Sequence, residues 1–234
     1  MFVVFDVDDT MYDLMWPFQM AFEKILVGKT DVSCEELFCQ SRICSDIVLE
    51  KEKRGLILPE DAFFRRMQMT CEEKGFGITR EESEAFEREY RYHQTKIVLF
   101  DFMQEILDYC REQGIPRAVL TNGSRKSQGR KLEVLQVTQW FDEDKLFISG
   151  EIGYHKPDVR AFQYIQDRLG ARGEDVWYIG DTYENDIVGA NRAGWNSIWL
   201  NHRKRPCPDA VSLADVELEN GWELLSVIQR LSIR

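Results

Sequence analysis

Five short apolar runs constrain the fold of this chain more than anything else in it: Phe2 to Val7, Arg117 to Thr121, Leu146 to Ser149, Val176 to Gly180 and Asn196 to Leu200. Most are too short and too rich in β-branched and aromatic residues to be helices, so they read as buried strands. Between the later runs the apolar spacing becomes helical: Met103, Ile106, Leu107 and Cys110 precede the second, and Phe162, Ile165 and Leu169 precede the fourth. Strand alternating with helix implies a parallel sheet flanked by helices, an α/β fold. Pro157 and Asp158 suit the first turn of a helix, and Gly170 sits where its cap belongs. A last helix near Gly221 to Leu231 is expected to bury Leu224, Leu225, Ile228 and Leu231.

Residues 14 to 97 break the alternation. Stripes at Phe18/Phe22/Ile25/Leu26 and Phe63/Phe64/Met67/Cys71 read as helical, and no strand interrupts them. This stretch is expected to form a separate α-helical domain, inserted between the first strand and the rest of the sheet, with residues 1–13 and 98–234 making the α/β core. At 234 residues, 44% hydrophobic and 30% charged, the chain has ordinary globular composition and room for both.

The formal charge is -11, from 30 Lys+Arg against 41 Asp+Glu, and a field of that sign repels polynucleotides. An anionic substrate must therefore be drawn in by a local cation. No basic leader or membrane-length apolar segment opens the sequence, and a cytoplasmic protein is expected. The six cysteines, at 34, 39, 44, 71, 110 and 207, lack the paired spacing of zinc knuckles and read as reduced structural thiols.

In an open parallel sheet, ligands bind beyond the carboxyl ends of the strands. The first strand delivers Asp6-Val7-Asp8-Asp9-Thr10 to that edge. Gathered carboxylates repel one another unless a cation sits among them or some are protonated, which points to a hard metal such as Mg²⁺; a cap or solvated turn accounts for one or two of them. The second strand ends in Thr121-Asn122-Gly123-Ser124, a turn whose amides can face an anion, although such a turn alone is often only a turn. After the third comes Lys156-Pro157, where the proline restricts the lysine backbone. The fourth ends in Gly180-Asp181-Thr182-Tyr183-Glu184-Asn185-Asp186, adding two acids that in isolation read as caps.

The series of acids, hydroxyl, lysine and acid pair resembles the four motifs of the haloacid dehalogenase (HAD) superfamily, matched here by Asp6-x-Asp8-x-Thr10, Thr121, Lys156-Pro157 and Gly180-Asp181-x-x-x-x-Asp186. The resemblance implies a Rossmann-like core with a helical cap placed after the first motif. It implies a phosphatase in which Asp6 attacks phosphorus to form an aspartyl phosphate, while Asp8 protonates the leaving oxygen and then deprotonates water. Mg²⁺ would be held by the Asp6 carboxylate, the Asp8 main-chain carbonyl and Asp181, with Asp186 behind them. Thr121, the amide of Asn122 and Lys156 would hold the phosphoryl oxygens. Asp9 receives no role, and Thr10 is expected to order the loop.

The substrate implied is a small phosphorylated metabolite, a nucleoside monophosphate or sugar phosphate, with its leaving group read by the helical insert. Arg42, Arg54, Arg65 and Arg66 are candidates for that reading, although helical charges are mostly solvated. Tyr12 and Trp16 suit base stacking or, more simply, hinge packing, and His93, His155 and His202 receive no catalytic role. Asp8 disfavours a dehalogenase and a phosphonatase. A sugar phosphomutase, a phospho-accepting receiver and a non-catalytic binding module remain as alternatives.

Overall fold

The computed structural model describes residues 1–233, apart from the side chain of Lys53. The chain divides into two compact units, Met1–Asp13 with Val98–Arg234, and Leu14–Ile97. No helix among the described residues is long and apolar enough to cross a membrane.

The first unit is built on a six-stranded sheet: β1 (Phe2–Phe5), β2 (Arg117–Thr121), β3 (Leu146–Ile148), β4 (Val176–Gly180), β5 (Asn196–Leu200) and β6 (Val216–Leu218), in the order β3-β2-β1-β4-β5-β6. Every pairing is parallel. Strands buried on both faces need continuous apolar runs, and Val3, Val4 and Phe5 are accordingly at most 1% exposed. The parallel α/β sheet expected from the alternation, and the Rossmann-like core that the resemblance implies, are therefore present. Helices α5 (Asp101–Glu112), α6 (Arg125–Val134), α7 (Ser149–Ile152), α8 (Val159–Leu169), α9 (Val188–Arg192) and α10 (Leu224–Ser232) belong to this unit. Met103, Ile106, Leu107 and Cys110 of α5 are fully buried, as their spacing predicts.

Several boundaries differ from the sequence expectation. Strand β1 stops at Phe5 because the Val7 carbonyl turns to accept the amides of Thr10 and Met11. Strand β3 stops at Ile148, since Ser149 opens α7. Asp158 is the N-cap of α8, its carboxylate accepting from the Arg160 amide, so Pro157 lies just outside the helix. Gly170 ends α8 at φ 61, in the left-handed region that glycine adopts without a Cβ clash. In α10, Leu224, Val227 and Ile228 are buried while Leu225 and Leu231 are half-buried, because the helix starts only at Leu224 after a 3₁₀ turn. The sixth strand has no counterpart among the expected elements.

The second unit contains α1 (Met15–Ile25), α2 (Cys34–Lys53), α3 (Ala62–Glu73) and α4 (Arg80–Gln94). Capping boxes start two of them, Ser33 with Glu36 and Thr79 with Glu82. Its core is aromatic: the Phe18 ring lies 4.9 Å from Phe86 and 5.5 Å from Phe38, both edge-on.

Candidate active site

The strand order reverses between β1 and β4, and the crevice beyond the carboxyl ends of two such strands is where open parallel sheets bind ligands. Asp6 follows β1 directly and stays in register by donating its amide to the Ile179 carbonyl at 2.9 Å. Asp181 follows β4. Asp186 is brought alongside by a single π-helical turn, Tyr183–Ile187, a form of helix found often at functional sites. Each of these three acids is 6% exposed or less. Each offers one carboxylate oxygen, and the three oxygens lie within 4.8 Å of one another.

Lys156 reaches into this group. Its Nζ donates to Asp6 Oδ1 at 2.6 Å, to Asp186 Oδ1 at 2.6 Å and to the Tyr178 hydroxyl at 2.7 Å. Tyr178 in turn donates to the Leu120 carbonyl. The lysine backbone is fixed by Asn122, whose side chain accepts from Lys156 N and donates to Lys156 O, both at 2.9 Å. The Asn122 side chain is thus engaged by the protein. Thr121 ends β2 and is 1% exposed.

The other Asp186 oxygen accepts from the Thr182 amide at 2.9 Å. That carboxylate lies so close over Gly180 that a Cβ there would sit 2.5 Å from the Asp186 Cγ. Gly180→Ala is therefore expected to displace Asp186 and cost about 1–3 kcal/mol in urea unfolding, as overpacked sites do.

Burial pushes the Asp6 carboxyl up, Lys156 pulls it down, and Asp186 and Asp8 push it up again, for a net rise to about 7. Burial also raises Asp181 well above the usual carboxylate range, with repulsion from Asp9 and Asp186 added and Arg205 opposing. For Lys156, burial favours the neutral amine, but Asp186 and Asp6 outweigh it and the net shift is upward. The cluster is short of positive charge even with Lys156 in place. Three converging hard oxygen donors with that deficit fit a small divalent cation.

Asp8 is held apart from the three. Its carboxylate accepts from Lys131 Nζ at 2.6 and 2.7 Å, from the Tyr12 hydroxyl at 2.6 Å and from Gln128 Nε2 at 3.2 Å. Asp9 is 1% exposed and paired with Arg203 and Arg205. Arg205 Nη1 also donates to Asp181 Oδ2 at 3.0 Å.

The family model described as haloacid dehalogenase-like hydrolase matches residues 3–200, most of the chain. The chain belongs to the HAD-like hydrolases. Among curated relatives, the glyceraldehyde 3-phosphate phosphatase of Methanopyrus kandleri is 30% identical over 98% of this chain and 97% of its own. The phosphoserine phosphatase of Thermus thermophilus is 34% identical over 54% of this chain and 49% of its own. Among solved structures, the HAD hydrolase YfnB of Bacillus subtilis, bound to magnesium, is 21% identical with a TM-score of 0.70 over 97% of both chains. That likeness speaks for the fold.

In this HAD hydrolase several residues near the acids carried no expected role. Lys131, Gln128, Tyr178, Arg203 and Arg205 all contact them. One general signal could have found Tyr178: a tyrosine inside a central strand must satisfy its hydroxyl, here against Lys156 and Leu120. Tyr12 does more than pack, since it donates to Asp8. The Thr10 hydroxyl is buried with no hydrogen-bond partner, so the loop is not ordered through that oxygen. His155 meets Ser149 Oγ through Nδ1, and His202 donates from Nε2 to the Asp9 carbonyl. In the helical unit Arg42 is exposed, Arg54 pairs with Glu50, and Arg65 donates to Gln68. Arg66 lies 4.4 Å over the Phe63 ring, its buried Nε without a hydrogen-bond partner. Trp16 meets His93 edge-on.

Proposed function

We propose that the protein is a cytoplasmic, Mg²⁺-dependent phosphomonoesterase for small phosphorylated metabolites, with Asp6 as nucleophile. The observation that carries this reading is the meeting of Asp6, Asp181 and Asp186 within 4.8 Å, with Lys156 bridging two of them. Relatives named as phosphatases of small phosphate esters support the substrate class, and the full-length one, named for a triose phosphate, puts short sugar phosphates first.

Asp6, the Asp8 main-chain carbonyl and Asp181, with Asp186 behind, would hold Mg²⁺, the metal bound in the YfnB structure. When bound, the ion neutralises charge on the phosphoryl oxygens and orients the ester. Asp6 then attacks phosphorus; the bond to the leaving oxygen breaks, and Asp8 supplies that oxygen with a proton. In the second half water attacks phosphorus, Asp8 takes its proton, and the bond to Asp6 breaks to release phosphate. Donors on both oxygens of Asp8 suit the second task. The first requires that Asp8 be loaded with a proton as substrate enters. Thr121, the Asn122 amide and Lys156 hold the transferring oxygens, and Lys156 offsets the charge of the intermediate. The helical unit serves as the cap that selects the leaving group.

Phosphate release over a panel of sugar phosphates and nucleoside monophosphates, with and without chelator, tests the reading. Metal-dependent release of free phosphate is expected; no turnover of any ester with Mg²⁺ would overturn it. A second expectation concerns pH. The Asp6 carboxyl, raised from 3.8 to about 7 in the fold, keeps its proton longer than in the unfolded chain. Its contribution to stability is thus full below about 3.8 and is lost as pH rises through about 7. Since the ion competes with that proton, Mg²⁺ should raise the melting temperature more at pH 8 than at pH 5.5.

A further inference from the structure

Asp9 adopts φ 61, a left-handed conformation that L side chains rarely take, and it does so between Asp8 and the turn that ends the β1 loop. Its carboxylate is 1% exposed. Both of its oxygens are taken by Arg203, through Nε to Oδ2 and through Nη2 to Oδ1, and Nη2 also donates to Asp13 Oδ1 at 2.7 Å. Arg205 stands 3.4 Å from Asp9 Oδ2, and His202 donates to the Asp9 carbonyl at 2.8 Å. All three residues come from the segment just after β5, which Asn201 fixes by bonding Arg205 at both its main-chain N and O. That segment lies at the same edge of the sheet as Asp6 because β5 runs parallel to β4 and β1.

We propose that Arg203 is a positioning residue: acting through Asp9, it holds the β1 loop in the shape that presents Asp6 and Asp8. Because it rests on the phosphatase reading, the inference needs one measurement that does not. A bidentate guanidinium fixes a carboxylate in direction as well as in charge, and here one guanidinium ties Asp9 and Asp13, at two points of a single loop. Without it the left-handed residue has a buried, poorly compensated carboxylate and reason to rotate away. Misplacing the two acids by an ångström is the kind of change that slows chemistry without weakening substrate binding.

Four variants test this: R203M, R203K, D9G/R203M and D9A/R203M. On the best substrate with Mg²⁺, R203M should lower kcat about 10²-fold with KM changed by less than about threefold, and R203K should recover only part of the loss. Glycine takes the left-handed conformation unaided, so D9G/R203M should regain most of the kcat. D9A/R203M removes the same charge but keeps the strain, and should not. Amide hydrogen exchange over residues 6–13 should be faster in R203M and return to the wild-type rate in D9G/R203M.

A kcat for R203M within about threefold of wild type, whatever its melting temperature, would overturn the proposal. So would equal recovery by the alanine and glycine double variants. If the wild type hydrolyses no phosphate ester, the phosphatase reading fails by itself, and exchange over residues 6–13 still decides whether Arg203 holds the loop.

Discussion

Asp6→Asn should abolish turnover, by on the order of 10⁴-fold or more, as loss of a covalent nucleophile does. It should at the same time raise the melting temperature of the metal-free protein above pH 7. Burial, against the pull of Lys156 and with repulsion from Asp186 and Asp8, drives the Asp6 carboxyl up to about 7. At pH 8 the wild type must therefore hold a charge that its surroundings resist, and the amide removes it. At pH 5.5 Asp6 already carries its proton, so the difference in melting temperature should shrink. Comparing variant with wild type at each pH cancels the general repulsion of a chain with net charge -11. A variant that loses activity but is equally destabilised at both pH values would show that Asp6 is a packing residue.

The second large effect is expected at Lys156. Its side chain is 3% exposed and bridges two carboxylates, so Lys156→Met leaves Asp6 and Asp186 facing each other without a counter-charge. Removing one member of a buried ion-pair group costs about 3–5 kcal/mol, measurable by denaturant unfolding. Turnover should fall about 10²–10³-fold, the usual result of deleting one stabiliser of transition-state charge. Adding Asp186→Asn to Lys156→Met should restore much of the stability and none of the turnover. Full recovery of both would mean that the lysine matters only as a counter-ion.

The meeting of Asp6, Asp181, Asp186 and Lys156 is legible in the sequence because each follows an apolar run, and in a parallel sheet the ends of such runs share one edge. The same rule, carried one strand further, would have pointed to Asn201-His202-Arg203-Lys204-Arg205 after β5. Those residues belong to none of the four motifs, and their partners in the β1 loop are some 190 positions away, as with Arg203 and Asp13. Lys131 and Gln128 sit on α6, where a charged or amide side chain reads as solvated; only the packing of that helix turns them toward Asp8. Strand β6 escaped notice because Val216-Glu217-Leu218 is three residues long and buries only Leu218, too little to register as an apolar run. The missed boundary at Phe5 has a similar origin, since the turn around Val7 is set by hydrogen bonds rather than by composition.

The pairing of β1 with strands that begin at Arg117 and Val176 has a consequence for synthesis. In a growing polypeptide Asp6 must wait for some 170 further residues before Asp181 and Asp186 exist. Until then the segment around β1 exposes apolar β-surface without all of its neighbours, the kind of surface that invites aggregation. The three carboxylates therefore come together late and all at once, when β4 slots in beside the first strand.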